Sequence, residues 1–432
     1  MKNAKPKVGQ DMFNLLKLLF PIPRSITGDG VRRTLGIIKD YIPELEIKGI
    51  KSGERCFDWE VPKEWVCEEA YIQEVDTGKV ILDFKKNNLH VVGYSIPVDK
   101  VLNFDELKEH IFYREDLPDA VPYVTSYYSS FWGFCMSYNQ FNKLNHNSKY
   151  RVVIKSRFVD GELNYGEVVL KGKEDREVFF STYICHPSLA NDNLSGPVLC
   201  TFLAKYLKNK DRRYTYRFVF IPETIGAICY LKRNLEHLKE KVIAGFVVTC
   251  VGDEGEFSYI PSRYGNTLAD KVALTVLENC AKSFKRYSYI DRGSDERQYC
   301  WPGVDLPVCS VTKTKYGEFK EYHTSLDNLE FVTPKGLEES LDLYIKIVES
   351  LENNYVYKTT ILCEPFMRKR NLYPGVSYWS AKYDYPQLLL NILVYSDGTN
   401  DLLDLANILK ICPTELIDPI NLLLREGLLE IL

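Results

Sequence analysis

Residues 181–200 read STYICHPSLANDNLSGPVLC, and how this stretch is read decides the fold. Its start completes a near-continuous apolar run, VFFSTYIC, which suits a strand covered on both faces. The run delivers His186, and Asp192 follows six residues later in a loop rich in Asn and Ser. From about residue 196, PVLCTFLAKYLKNK shows the apolar spacing of a helix. Strand, polar loop and helix in this order are the first half of a βαβ unit. The imidazole and the carboxylate in its loop are either hydrogen-bonded turn residues or two ligands of a metal ion.

The same alternation runs outward from this stretch. YRFVFIP is followed by a helix from about 226, then GFVVTCV, a helix from about 268 and LPVCSVT, and KGLEESLDLYIKIVESL closes the region. This predicts an α/β domain over 149–365, with a mixed, largely parallel sheet in a three-layer core. YRVVIKSRF and GEVVLKG, upstream, predict a hairpin around VDGELN. In open α/β sheets, ligands gather beyond the carboxyl ends of the strands. Three strands end here in His186, Glu223 and Asp253, and LPVCSVT leads on through KYGEFKEY to His323.

On either side the texture differs. Residues 10–44 predict two helices split by PIPRSITGDG, with Thr27 or Asp29 capping the second. Residues 46–129 hold short β-type runs and turn signals, which predicts an inserted mostly-β module. Residues 366–385 are irregular and aromatic, a linker, and 386–432 predict three short amphipathic helices and a strand-like tail, a winged-helix unit. The core is therefore expected to be discontinuous, 1–45 and 130–365.

The chain has 432 residues, 45% hydrophobic and 26% charged, with a formal net charge of −4, which suits a multi-domain globular protein without a bulk pull towards nucleic acid. No stretch is long and apolar enough for a membrane span, and the N-terminal apolar run is too short for a secretion signal. The twelve cysteines form no CxxC pair, and Cys185, Cys200, Cys250 and Cys309 sit in apolar runs, which favours the cytoplasm. The winged unit carries Lys410 and Arg425 against seven acidic residues, a net −5. That argues against a phosphate-backbone partner and for a protein partner, a homo-oligomer contact or a lid.

His and carboxylate ligands suit zinc, which polarises a carbonyl and brings the pKa of bound water down to roughly 7. An unligated carboxylate nearby, Glu223, would then serve as general base. These residues resemble the zinc exopeptidases of the leucyl aminopeptidase type. CHPSLANDNLSG is similar to that family's His and Ala-Asn-Asp-Asn-x-Ser-Gly motif, Glu223-Thr224-Ile225-Gly226 to its Glu-Glu-x-Gly, Ser294-Asp295-Glu296 to its Ser-Asp-His, and Tyr322-His323-Thr324-Ser325-Leu326-Asp327 to its Tyr-His-Thr-x-x-Asp. Along its whole length, through LFPIPRSITGDGVRRTL, FDWEVPKEW, NLHVVGYSIPV, PYVTSYY, WGFC and TLAD, the chain resembles a group of aminopeptidase-like proteins. These pair such a core with an inserted β module and a C-terminal winged helix, and are often associated with polysaccharide-biosynthesis gene clusters.

The resemblance implies His186, Asp192 and His323 as metal ligands and Glu223 as base. It places Tyr322 at the substrate oxyanion, Asp327 behind the ligand loop, and Asp295, Glu296 and Arg297 near the substrate. Two positions depart from the pattern: Thr224 replaces a ligand Glu, and Thr249 stands where a ligand Asp is usual, with Asp253 four residues on. One zinc is therefore favoured, and a second would need Asp253 with Glu254 or Glu296. Arg24 and Arg297 are candidate forks for a substrate carboxylate. The expectation is an aminopeptidase-like hydrolase of a small peptide, its cleft roofed by Phe57, Trp59, Trp65 and Tyr94. The alternatives are an amide hydrolase for an aminoacyl or glycan-linked substrate, or a degenerate binding scaffold.

Overall fold

The computed structural model describes residues 8–372 and 385–432. Its centre is an eight-stranded sheet whose strands are, in chain order, β1 (Glu46–Lys51), β2 (Glu162–Leu170), β3 (Glu177–Tyr183), β4 (Thr215–Ile221), β5 (Val242–Val247), β6 (Phe257–Ile260), β7 (Phe284–Arg286) and β8 (Val308–Thr312). The spatial order is β1-β2-β4-β3-β5-β8-β6-β7. The four central strands β4, β3, β5 and β8 are mutually parallel, and antiparallel pairs join them to both flanks.

Helices α1 (Val8–Leu19), α2 (Asp29–Tyr41), α3 (Ser195–Lys208), α4 (Ile225–Lys241), α5 (Leu268–Cys280) and α6 (Pro334–Glu352) cover the sheet. Every residue of β3 and β4 is buried, as the unbroken apolar runs predict. Successive side chains serve opposite layers: Phe180, Phe218 and Phe246 join the cluster with α1, α2, α3, α5 and α6, while Phe179, Val219 and Val247 join the cluster with α4. Each such side chain contributes roughly 1.5–3 kcal/mol on burial. The three-layer core expected from the sequence is present.

The predicted hairpin does not form. Tyr150–Val159 pairs along its whole length with Glu64–Glu74 and, over its first half, Tyr150 to Ile154, with Val98–Leu102, in a separate four-stranded antiparallel sheet. β2 instead joins the main sheet. The chain changes sheets at Asp160–Gly161, where the Glu64 carboxylate accepts the Glu162 amide at 2.9 Å and Arg32 Nη1 at 2.6 Å. The partner of Tyr150–Val159 lies some eighty residues away in sequence, so no local signal marks it. For the same reason the module's expected boundaries shift. Residues 46–51 are an edge strand of the core, with Ile50 buried in it, and 150–159 belong to the module.

The winged unit has helices Tyr385–Tyr395, Leu402–Leu409 and Pro413–Arg425 and a small sheet in the order 397–401, 356–359, 429–431. Its central strand, Val356–Thr359, comes from the segment assigned to the core, because Tyr357 packs with Leu389, Leu402 and Leu423 rather than with the main sheet. Of the expected linker 366–385, the described part includes a 3-10 turn at Met367–Arg370 whose Met367 enters the same cluster; residues 373–384 lie outside the described residues. Cys280 at the end of α5 and Cys412 form a disulfide between core and winged unit, and Lys271 pairs with Asp401 and Asp404 beside it.

Candidate metal centre

The carboxyl ends of the four parallel strands meet where the sequence placed them. β3 leads to His186, β4 to Glu223, β5 to the 248–256 loop, and β8 to the loop carrying Tyr322 and His323. His186, Asp192 and His323 bring one ligand atom each to within 4.8 Å of one another. His186 and Asp192 are almost fully buried, while the His323 side chain is about a third exposed, at 35%. His186 Nδ1 is 3.5 Å from Asp192 Oδ2, and its Nε2 is 3.4 Å from Glu223 Oε2.

The informative pair is Asp192 Oδ2 and His323 Nε2. They are 3.0 Å apart, yet both are buried atoms without a hydrogen-bond partner among the described residues. A buried carboxylate oxygen and imidazole nitrogen left unpaired each cost about 1–3 kcal/mol. Donor atoms aimed past each other fit a shared cation better than a hydrogen bond. Burial pushes the Asp192 carboxyl up, but the neighbouring His186 and His323 outweigh it and hold it below the usual range, so it is ionised. Burial pulls His186 down and is likewise outweighed, chiefly by Asp192. Three donors fit a divalent ion with an open position.

Several devices hold this geometry. Asp327 accepts the backbone N–H of Asn191 at 2.6 Å and of Asp192 at 2.8 Å, fixing the loop from behind. Its burial raises the carboxyl to about 7 despite those two bonds. Gly196 admits the close approach of α3 to the sheet, since a Cβ there would lie 2.2 Å from the Val248 carbonyl oxygen. Ser188, Thr224, Cys250 and His323, one in each of the four loops, have positive φ of 46°, 61°, 50° and 53°. Non-glycine residues in that region cost about 1–3 kcal/mol each and cluster at functional sites.

Glu223, 20% exposed, stands against His186, and Arg297 Nη2 lies 3.8 Å from its Oε1. Arg297 also donates to Thr224 Oγ1 at 2.6 Å. Tyr322 stacks on His323 with ring centroids 3.9 Å apart, and burial, then Asp192, pushes its hydroxyl up, so it stays protonated.

Three expected site residues are placed otherwise. Asp253 is not in the ligand cluster: its Oδ1 accepts from Gly255 N and Thr314 Oγ1, both at 2.7 Å, and its Oδ2 from Asn191 Nδ2 at 3.0 Å and Thr314 N at 3.2 Å. All four bonds tie the carboxylate to neighbouring loops. Glu296 is fully buried and accepts from Gly293 N, Ser294 N, Tyr316 OH and Ser310 Oγ, so it is open neither to substrate nor to a metal. Asp295 is equally buried and accepts from Thr224 N at 2.8 Å; burial and then the Glu223 charge raise its carboxyl well above the usual range. Glu254, the other candidate for a second ion, pairs with Lys335 at the surface. Thr249 donates to Tyr183 OH at 2.8 Å and lies 3.4 Å from Asp192 Oδ1, to which Tyr183 also donates. That side of Asp192 is closed by hydroxyls.

The sequence reading missed Tyr123. This residue of the inserted module sets its ring 5.1 Å from His186 and 5.3 Å from His323, and its N–H bonds the His323 carbonyl at 2.8 Å. Val121 and Ser325 exchange two further bonds, so the module clamps the His323 loop. Nothing in the PYVTSYY stretch taken alone signals that contact. Of the expected roof residues, Trp59 lines the cleft with Tyr123, Tyr127 and Tyr128, and exposed Phe57 lines the adjoining groove. Trp65 and Tyr94 stack on each other at 5.9 Å within the module and do not line the cleft. His90, His110 and His146 are structural: His90 bonds the Cys135 carbonyl, while His110 and His146 stack on Trp132 and Phe104.

Residues 13–354 match the model of DUF4910, described as a domain of unknown function, and residues 355–431 match a winged helix-turn-helix. The chain belongs to the DUF4910 family. It is 44% identical over 404 residues, 93% of this chain and 91% of the relative, to a Clostridium acetobutylicum protein provisionally named as a polysaccharide biosynthesis protein with an aminopeptidase-like domain. A crystal structure from the same organism, provisionally titled a peptidase, matches with TM-score 0.91 and 41% identity over 98% of this chain and 96% of that one. A zinc aminopeptidase from Bacillus subtilis matches with TM-score 0.58 and 14% identity, over 81% of this chain and 96% of that one. A peptidase M28 precursor from Shewanella amazonensis matches with TM-score 0.55 and 13% identity, over 83% and 95%. The core therefore has the zinc-aminopeptidase fold. Among the described residues no helix is long and apolar enough to cross a membrane.

Proposed function

We propose that this DUF4910 protein is a metal-dependent amide hydrolase of the aminopeptidase-like type, with one zinc held by His186, Asp192 and His323. The observation that carries the reading is the pair of buried, unpartnered donor atoms, Asp192 Oδ2 and His323 Nε2, beside Glu223. When bound, the ion supplies Lewis acidity, polarising an amide carbonyl and lowering the pKa of water to roughly 7. The Glu223 carboxylate takes the proton of the attacking water and passes it to the departing nitrogen. The Tyr322 hydroxyl donates to the carbonyl oxygen as its charge grows. Arg297 Nη2, 3.8 Å from Glu223 Oε1 and bonded to Thr224 Oγ1, steadies the base. Asp327 keeps Asp192 in position.

Thr224 and Thr249 support one ion rather than two, because neutral hydroxyls stand at both positions where the family resemblance calls for carboxylates. With Asp295 and Glu296 buried, neither is available to hold a substrate's free amine. A second reading, hydrolysis of an amide on an aminoacyl or glycan-linked substrate, is favoured by the exposed rings of Phe57, Trp59, Tyr128 and Trp301 along the cleft and its adjoining groove. Flat aromatic faces with a wet edge suit sugars as well as peptides.

The winged unit is read as a protein-interaction or dimer surface, in keeping with its net −5 charge. The cytoplasmic location belongs to this reading too: nine of the ten free thiols are at least partly buried, while the Cys280–Cys412 disulfide stands against it. The test is metal content per chain, followed by a screen of peptide and aminoacyl-sugar amides. One zinc lost in His186→Ala, with turnover lost in Glu223→Gln, supports the hydrolase. No metal after zinc is offered sinks it in favour of a binding scaffold.

A further inference from the structure

The PIPRSITGDG segment, singled out in the sequence, has no part in the metal centre, yet it builds a second site behind it. A cavity of about 160 Å³ lies between this segment and the inserted module; its lining includes Arg24, Ser25, Thr27, Trp65, Tyr123 and Tyr127. Tyr123 and Tyr127 also line the cleft over His186 and Glu223, so the two spaces share a wall.

Arg24 is 3% exposed and forms no ion pair with any described residue. Its Nε donates to the His186 carbonyl at 2.9 Å and its Nη1 to the Leu19 carbonyl at 2.6 Å, while Nη2 has no partner. Ser25 Oγ, beside it, is also buried and unpartnered. A guanidinium stays charged at neutral pH even when buried. A buried charge without a counter-charge costs several kcal/mol, and proteins keep such groups where a ligand completes them.

The segment adds a second anion-seeking feature. Helix α2 begins at Asp29 against the cavity, and no side chain caps its first N–H groups, so neither Thr27 nor Asp29 plays the capping role expected for it. Uncapped N–H groups with the helix dipole behind them favour anions. Gly30 is required here, since a Cβ would lie 2.0 Å from the Pro23 carbonyl oxygen and push the Arg24 turn off the helix. Exposed Arg33 adds positive charge at the rim, and the one carboxylate of the lining, Asp29, is already paired with Arg32 at 2.6 Å. The Cys67 thiol in the wall is pushed up to about 12 by burial and is neutral.

We propose that this cavity is an oxyanion-binding site, built by Arg24, Ser25 and the start of α2, which receives the carboxylate or phosphate group of a substrate whose amide lies at the neighbouring metal centre. The anion site stands on its own; the substrate half of the proposal rests on the hydrolase reading. The site defines an acidic substrate class, such as an aminoacyl group on an acidic sugar or a peptide with an acidic end.

The test uses metal-stripped full-length protein, so that the outcome is independent of the metal centre. Inorganic phosphate and acetate are titrated by calorimetry into wild type, Arg24→Lys and Ser25→Ala, with circular dichroism to confirm folding. Binding of at least one anion is expected, weakened about tenfold or more in Arg24→Lys, where the planar fork is lost. Ser25→Ala removes an atom with no partner inside the protein, so it should keep its thermal midpoint while affinity falls several-fold. Preference between the two probes assigns phosphate or carboxylate. No binding at tens of millimolar, or equal binding in wild type and Ser25→Ala, overturns the site. If amides are cleaved, acidic substrates should exceed neutral ones about tenfold in kcat/KM in the zinc-loaded enzyme, and Arg24→Lys should level them. A preference unchanged by Arg24→Lys overturns the substrate half alone.

Discussion

The loops after β3 and β5 leave adjacent parallel strands at the same edge of the sheet, and each carries a buried aspartate. In sequence Asp192 was a candidate ligand of the first metal and Asp253 a candidate only for a second. In the fold their acceptor atoms are used differently. Asp253 accepts four hydrogen bonds, which stitch the 191, 255 and 314 segments together. Asp192 uses Oδ1 towards Tyr183 and Thr249 and leaves Oδ2 empty next to two imidazoles. What separates the proposed ligand Asp192 from Asp253 is an unspent acceptor oxygen next to two imidazoles.

The largest effect that would break this comparison is at Asp192. Asp192→Ala should abolish zinc binding, read as loss of the metal by elemental analysis, with the fold retained by circular dichroism. Retention of zinc at wild-type affinity would show that the open oxygen is not a ligand atom. Next in size, Asp327→Ala should weaken zinc affinity about 10- to 100-fold without removing a ligand, because Asn191 and Asp192 lose the acceptor that orients their loop. Competition with a chelator measures this; an unchanged dissociation constant would assign Asp327 to stability alone.

The comparison is sharpened by restoring the missing carboxylates. Thr224→Glu with Thr249→Asp should raise strongly bound zinc from one equivalent to two, since Thr249 lies 3.4 Å from Asp192 Oδ1 and Thr224 directly follows Glu223. A stoichiometry that stays at one would mean that Tyr183 and the loop backbones, rather than the two threonines, close the second site. In contrast to Asp192, Asp253→Ala should keep its zinc and lose about 1–3 kcal/mol of stability from the unsatisfied donors, measured by urea unfolding.

The smallest effect concerns the opposite end of the sheet, where Arg217 lies between Glu167 and Glu177. Burial raises both carboxyls, but hydrogen bonds and charge from Lys48 and Arg217 outweigh it and hold them below the usual range. A depressed folded pKa contributes stability above the unfolded value, near ~4.3, and that stability is lost as pH falls through the folded value. Wild type should therefore lose stability progressively below about pH 4.3, and Glu177→Gln should flatten that slope. A slope identical in both proteins would remove Glu177 from the linkage.

Much of the core was legible because it rests on local signals. VFFSTYIC and YRFVFIP are apolar without alternation and proved to be central strands buried on both faces. The strand-end positions of His186, Glu223 and His323 followed from the same runs. The module boundaries were not legible, because Tyr150–Val159 finds its partner at Glu64–Glu74 across a long loop, whereas the turn at VDGELN offers only a local alternative. The strand Val356–Thr359 likewise pairs with residues near the C-terminus.

The sequence by itself determined the α/β core with its central strands, the winged unit and, with the family resemblance, the His-Asp-His candidate set, because periodicity and strand-end position are properties of neighbouring residues. Only the tertiary structure decided which aspartate keeps an open oxygen, that Glu296 is spent on Gly293, Ser294 and Tyr316, that Tyr123 closes over both histidines, and that Arg24 is buried without an acid. Those outcomes depend on which donors and acceptors from distant segments meet in space, and hydrogen-bond satisfaction is settled only when the segments pack.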